Sequence, residues 1–67
     1  MDHAEKRLIR IKKVVEMTGL SRSYVYELQA AGLFPQSVLL VPGGVARAWV
    51  YSEVQDWIQE RIDAERA

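Results

Sequence analysis

With 67 residues, nine Lys plus Arg against nine Asp plus Glu, one His and no Cys, the chain has room for one small domain with neither a disulfide framework nor a thiolate metal site. The neutral total hides a segregation: residues 6–47 carry a net +5, residues 52–67 carry −3, and the first five residues carry −2. Such asymmetry suggests a basic working surface, commonly for nucleic acid, paired with an acidic surface elsewhere, although two ordinary solvated faces would look the same.

The polar, acidic start Met1-Asp2-His3-Ala4-Glu5 has the character of neither a signal peptide nor a transit peptide. The absence of Cys fits a reducing compartment, and the expected location is cytoplasmic, with residues 1–6 as a disordered tail. Leu8-Ile9-Arg10-Ile11 is a short β-prone run suited to an edge strand. Residues 12–17 then read as one or two helical turns with Val14, Val15 and Met17 as apolar positions, stopped by Gly19. Ser21 has the character of an N-cap opening a second helix over about 21–31, with Val25 and Leu28 inward and Gly32 as its stop. Two short helices joined through Thr18-Gly19-Leu20 form a helix-turn-helix candidate.

Pro35 breaks the chain. Residues 37–41 and 45–51 are β-branched and aliphatic, and Pro42-Gly43-Gly44 between them predicts a hairpin. The first of these strands holds the longest apolar stretch, Val38-Leu39-Leu40-Val41, far short of the ~20 residues that span a bilayer. In the second, Val45, Arg47 and Trp49 share one face while Ala46, Ala48 and Val50 share the other. The last element is a helix in which Ser52 and Gln55 predict a capping box. Its apolar positions are Val54, Trp57, Ile58 and Ile62, with Glu53, Asp56, Glu60 and Asp63 on the other side. Strand, two helices, hairpin, helix: the predicted fold is mainly α with a small β-hairpin, a winged helix-turn-helix.

Catalysis finds little support, and the expectation is that the chain is not an enzyme. His3 has no companion ligand or carboxylate at a recognisable spacing, so no metal site, cofactor or small-molecule substrate is expected. The acidic stripe would suit a cation or a basic partner, but it reads best as a solvated helix face. Gly43-Gly44 lacks the Lys and Ser/Thr of a phosphate loop. Nucleic-acid chemistry fares better. Lys12 and Lys13, with Arg10 just before them, stand at a helix start, where free N–H groups favour an anion and positive charge is otherwise disfavoured. On the second helix Ser23, Tyr26, Glu27 and Ala30 point most nearly outward from Val25. Arg22 and Tyr24 flank that face at the N-terminal turn, the part of a recognition helix that reaches base edges. Arg grips guanine or a phosphate, and Tyr hydroxyls commonly find phosphate oxygens. Of the two tyrosines, Tyr24 lies nearer the inward face and is the candidate for the core. Arg47 either tracks a phosphate or the minor groove from the wing, or packs along Trp49. Trp49, Trp57 and Phe34 are the expected aromatic core.

Arg7-Leu8-Ile9-Arg10, Thr18-Gly19-Leu20-Ser21-Arg22-Ser23, Tyr26, Gly32-Leu33-Phe34-Pro35, Ala48-Trp49, Ser52-Glu53-Val54 and Trp57-Ile58 together resemble the AlpA-type prophage regulators. The resemblance runs from about residue 7 to residue 62. That family is similar in fold to excisionases and to the DNA-binding domain of the MerR group. The resemblance implies sequence-specific binding of double-stranded DNA, in transcriptional regulation or as a recombination directionality factor. It also implies contacts with integrase or self-association on tandem sites. Arg22, Ser23 and Tyr26 match the family's recognition-helix motif. Glu27 stands where members often carry a basic residue, and Val45 stands near the place of the usual wing arginine, which Arg47 would have to replace. An alternative from another class is a protein-interaction module that uses the winged fold and presents its acidic C-terminal helix.

Overall fold

The structure, a computed structural model, describes residues 6–66, so His3 and most of the expected tail lie outside the described residues. Its elements in chain order are β1 (Leu8–Ile9), α1 (Ile11–Thr18), α2 (Arg22–Ala30), β2 (Val38–Leu39), β3 (Arg47–Val50) and α3 (Tyr51–Arg66). Arg10 is extended, and its carbonyl accepts from the Lys13 and Val14 N–H groups at 3.0 and 3.1 Å, which starts α1. At the other end the Gly19 N–H donates to the Val15 carbonyl at 2.8 Å. The Thr18 hydroxyl donates to the Val14 carbonyl at 2.9 Å and accepts from the Leu20 N–H at 3.2 Å, so the turn between the helices satisfies its own polar groups. Ser21 caps α2 as its sequence predicts, its Oγ accepting from the Tyr24 N–H at 3.1 Å. α2 ends in a Schellman arrangement, with Leu33 N–H to the Leu28 carbonyl at 2.8 Å and Gly32 N–H to the Gln29 carbonyl at 3.0 Å.

The three strands form an antiparallel sheet in the order β1-β3-β2. Ile9 lies opposite Trp49, and Leu39 opposite Arg47. Because β3 is central, both Ala48 and Trp49 are buried although they point to opposite faces. Each of the other elements except the exposed β2 supplies one residue to the core: Ile9 from β1, Val14 from α1, Val25 from α2 and Val54 from α3. Phe34, from the segment between α2 and β2, completes it with Trp49. A helix-turn-helix followed by a hairpin and a closing helix is a winged helix-turn-helix.

Two expectations need correction. The capping box at Ser52 does not form, because β3 runs straight into α3 and Tyr51 is already helical. The Tyr51 N–H donates to the Arg7 carbonyl at 2.8 Å, and the Gln55 side chain donates to the Tyr51 hydroxyl at 3.0 Å instead of reaching back to Ser52. A backbone acceptor from the start of the chain thus takes the place of a local cap. The hairpin strands are also shorter than the β-prone runs suggest. Beyond Leu39 the arms are held by Leu40 N–H to the Ala46 carbonyl at 2.9 Å and by the turn itself.

Trp49→Ala should destabilise the fold by about 3–5 kcal/mol, the usual cost of emptying a large buried site. Val45→Ala at the exposed tip should stay within about 0.5 kcal/mol of the parent. Urea unfolding followed by circular dichroism measures both.

Candidate nucleic-acid interface

The candidate residues fall into three groups. The first lies at the junction of β1 and α1, where Arg7, Arg10, Lys12 and Lys13 line one shallow groove together with Glu16. Arg10, Lys12 and Lys13 are exposed, and no side chain caps the first turn of α1. A phosphate there would meet free helix N–H groups as well as cations. The Arg7 guanidinium stacks 4.6 Å from the Tyr51 ring centroid, a cation–π contact that links the start of the chain to α3.

The second group is on α2. Arg22, Ser23, Tyr24, Tyr26 and Glu27 are all exposed, while Val25 between them has no accessible surface. The tyrosines exchange the places expected of them. Tyr26 is the one that leans on the core, its ring 5.9 Å from that of Trp49 at 49°. Tyr24 is 49% exposed beside Leu20, Leu28 and Trp57. With Val25 and Leu28 inward, the period places Tyr24 nearer the inward direction than Tyr26. Tyr26, still 41% exposed, meets the indole all the same, so the neighbouring ring outweighs the helix period.

The third group is the hairpin, where Arg47 is exposed and its guanidinium is engaged within the hairpin. Its Nε donates to the Ser37 hydroxyl at 2.8 Å and its Nη2 to the Ser37 carbonyl at 3.2 Å. Two glutamines complete this anchorage. The Ser37 N–H donates to Gln29 Oε1 at 3.0 Å, and the Gln36 side chain donates to the Gln29 carbonyl at 2.9 Å. The hairpin is thereby bolted to the flank of α2. Gln29, Gln36 and Ser37 escape a reading by residue type, since none of them is a usual contact residue. The available signal is Gln29 itself, a polar side chain four residues after Val25 on the inward stripe of a helix.

The acidic stripe of α3 does not converge on a metal site: among the described residues no group of three or more His, Cys, Asp or Glu is placed to hold an ion. Glu53, Asp56 and Glu60 instead border a shallow groove of about 590 Å³ whose apolar wall includes Leu33, Phe34 and Trp57. No helix among the described residues is long and apolar enough to cross a membrane.

Residues 7–62 match the family described as Prophage CP4-57 regulatory protein (AlpA). The chain belongs to that family. A protein of Enterobacteria phage P4, named Uncharacterized protein ORF88, is 44% identical to it over 61 residues, which cover 91% of this chain and 67% of the phage protein. The matched span takes in all three groups of this AlpA-family chain, from the β1–α1 cations to the first three turns of α3.

Gln29→Ala would leave the buried end of Ser37 without its acceptor. It should cost about 1–3 kcal/mol and quicken amide exchange across residues 37–46 while leaving α1 unchanged, as read by hydrogen-exchange NMR.

Proposed function

We propose that this chain is a sequence-specific DNA-binding regulator of a prophage or integrated element, acting in transcription, as a recombination directionality factor, or both. The observation that carries this reading is the pairing of an exposed, Ser21-capped α2 with a hairpin tied rigidly beside it, in a member of a prophage regulatory family. In this reading α2 enters the major groove. Arg22 grips guanine or a phosphate, Ser23 and Glu27 face base edges, and Glu27 accepts from cytosine N4. Tyr24, and Tyr26 from its seat on Trp49, direct their hydroxyls to phosphate oxygens. Arg10, Lys12 and Lys13 hold the backbone at the start of α1, while Arg47 positions the wing. The partner is double-stranded DNA. On tandem sites a second copy would lie alongside, and in the directionality role integrase would be the protein partner.

A second reading, a protein-interaction module, has one observation in its favour. The groove beneath the acidic stripe is bordered by Leu33, which is 63% exposed, and by Trp57, so it would suit a basic segment with an apolar anchor. Mobility shifts with random and selected duplexes at low salt separate the two readings, since no shift at micromolar protein would leave only the second.

With four or five phosphate contacts, the logarithm of affinity should fall with the logarithm of salt at a slope of about −4; a flat response would remove the backbone contacts. Arg22→Ala should weaken binding by about 1–3 kcal/mol and relax preference at one base pair. Fluorescence anisotropy on the selected duplex measures both, and unchanged binding would take Arg22 out of the interface.

A further inference from the structure

The apolar surface left uncovered between α2 and α3 is continuous. Leu33, 63% exposed, and Trp57 wall the groove of about 590 Å³ that is rimmed by Glu53, Asp56 and Glu60. The same two side chains wall a second hollow of about 350 Å³ together with Leu20, Tyr24 and Leu28. This surface is set before anything arrives on it. The Trp57 N–H holds the Leu33 carbonyl at 2.9 Å, and the Phe34 ring stands 4.7 Å from the Trp57 ring. An apolar groove of this size with a few polar groups at its rim has the form of a seat for a bulky side chain.

We propose that this groove takes a cationic segment of a protein partner, with one large apolar side chain seated against Leu33 and Trp57 and basic groups lying along Glu53, Asp56 and Glu60. The site does not depend on α2 reaching DNA. It makes a duplex and a protein partner compatible on one chain, where the two readings above set them as alternatives.

Charge selects the occupant. Glu53, Asp56 and Glu60 recur at three- and four-residue spacing, so their carboxylates stand on successive turns of one face of α3, over about 10 Å. Arg61, the cation of the same groove, has its Nη2 on Glu65 at 3.0 Å. A phosphate backbone is repelled by such a rim, whereas a segment with basic residues about one turn apart is drawn to it. A second copy fits less well. A two-fold contact would set the stripe against itself. A head-to-tail contact would have to use Leu8, 49% exposed between Arg7 and Arg10. Leu8 and Ile9 are already paired with β3, and Arg7 is stacked on Tyr51, so that segment has no free length to lay into a groove. The occupant that remains is an exposed basic segment of another protein. Because the groove is preformed, only the incoming segment has to be ordered. The hollow shared by Leu33 and Trp57 reaches Tyr24 on the flank of α2, so the partner would be held beside any duplex that α2 binds.

The test uses the full chain, isotope-labelled for NMR, and an octapeptide with four arginines around a central Phe-Leu pair. The peptide should bind with a Kd on the order of 10–100 μM. It should shift the indole N–H resonance of Trp57 and leave that of the buried Trp49 in place. Changing Phe-Leu to Ser-Ser in the peptide, or Leu33→Ser in the chain, should weaken binding roughly tenfold. The variant Glu53→Gln/Asp56→Asn/Glu60→Gln, expected to keep the parent melting temperature, should lose about as much and most of the salt dependence. In mobility shifts on a selected duplex this variant should bind as tightly as the parent or more tightly. No binding at millimolar peptide, equal binding of the Ser-Ser peptide, an unmoved Trp57 resonance or indifference to the three carboxamides overturns the proposal. Sedimentation that finds the parent self-associated and Leu33→Ser monomeric overturns it in favour of a second copy. Loss of duplex binding in the carboxamide variant places those groups in the DNA interface and overturns it as well. A parent that binds the octapeptide as described but shifts no duplex overturns the DNA reading alone and supports the groove.

Discussion

The indole of Trp49 has no accessible surface and still carries a polar N–H, which donates to the Pro35 carbonyl at 3.0 Å. In so small a core a buried indole with an orphaned N–H would offset much of what its burial contributes. That one bond therefore ties the central strand to the segment linking α2 to the hairpin. Trp57 repeats the device from α3, its N–H donating to the Leu33 carbonyl at 2.9 Å. Phe34 lies between these two anchor points, buried, with its ring 4.7 Å from that of Trp57 at 66°. The residues 33–35 are thus stapled from two elements, and the staple decides where α2 ends and where the hairpin departs. Tyr26, seated on the same Trp49, carries the constraint onto the exposed face of α2.

A core held by indoles and aliphatic side chains leaves the charges for the surface. The described ion pair, Arg61 with Glu65 at 3.0 Å, is exposed on both sides and contributes little to stability. The cations of the β1–α1 groove and the carboxylates of Glu53, Asp56 and Glu60 act at a distance, so a chain of zero net charge still has a local field. Attraction to a polyanion would then depend on orientation. In the proposed reading the basic groove would invite the duplex, while the stripe of Glu53, Asp56 and Glu60 would repel it.

What the sequence made legible was the local chemistry. Ser21 caps α2, Gly32 and Leu33 close it, and Pro42-Gly43 turns the hairpin, because each of these depends on a few neighbouring residues. The illegible parts all depend on contacts between distant segments. The start of α3 was obscured by a plausible capping box, since the acceptor that replaces it belongs to Arg7, 44 positions earlier. The role of Arg47 was obscured for the same reason: its partner Ser37 is reached only across the hairpin, in a register that no periodicity reveals. The helical period, with Val25 and Leu28 inward, favours Tyr24, yet it is Tyr26 that meets Trp49, because the indole comes from a strand whose placement the period does not encode. The DNA-facing candidates were legible as residue types, whereas the anchorage that holds the wing to α2 was not.

That anchorage also bears on why an apolar wing is compatible with a single folded chain. β2 is an edge strand without a charged side chain, the kind of edge that ordinarily invites pairing with another copy. Its flanks are closed by bonds of other kinds. Ahead of it the Ser37 N–H is taken by Gln29 and the Ser37 carbonyl by Arg47; beyond it the Val41 carbonyl is taken by the Gly44 N–H. A visiting strand would find acceptors and donors already engaged on both sides of a strand two residues long. The side chains of the wing are exposed while most of its backbone is not offered, so whatever the wing meets, it meets through packing.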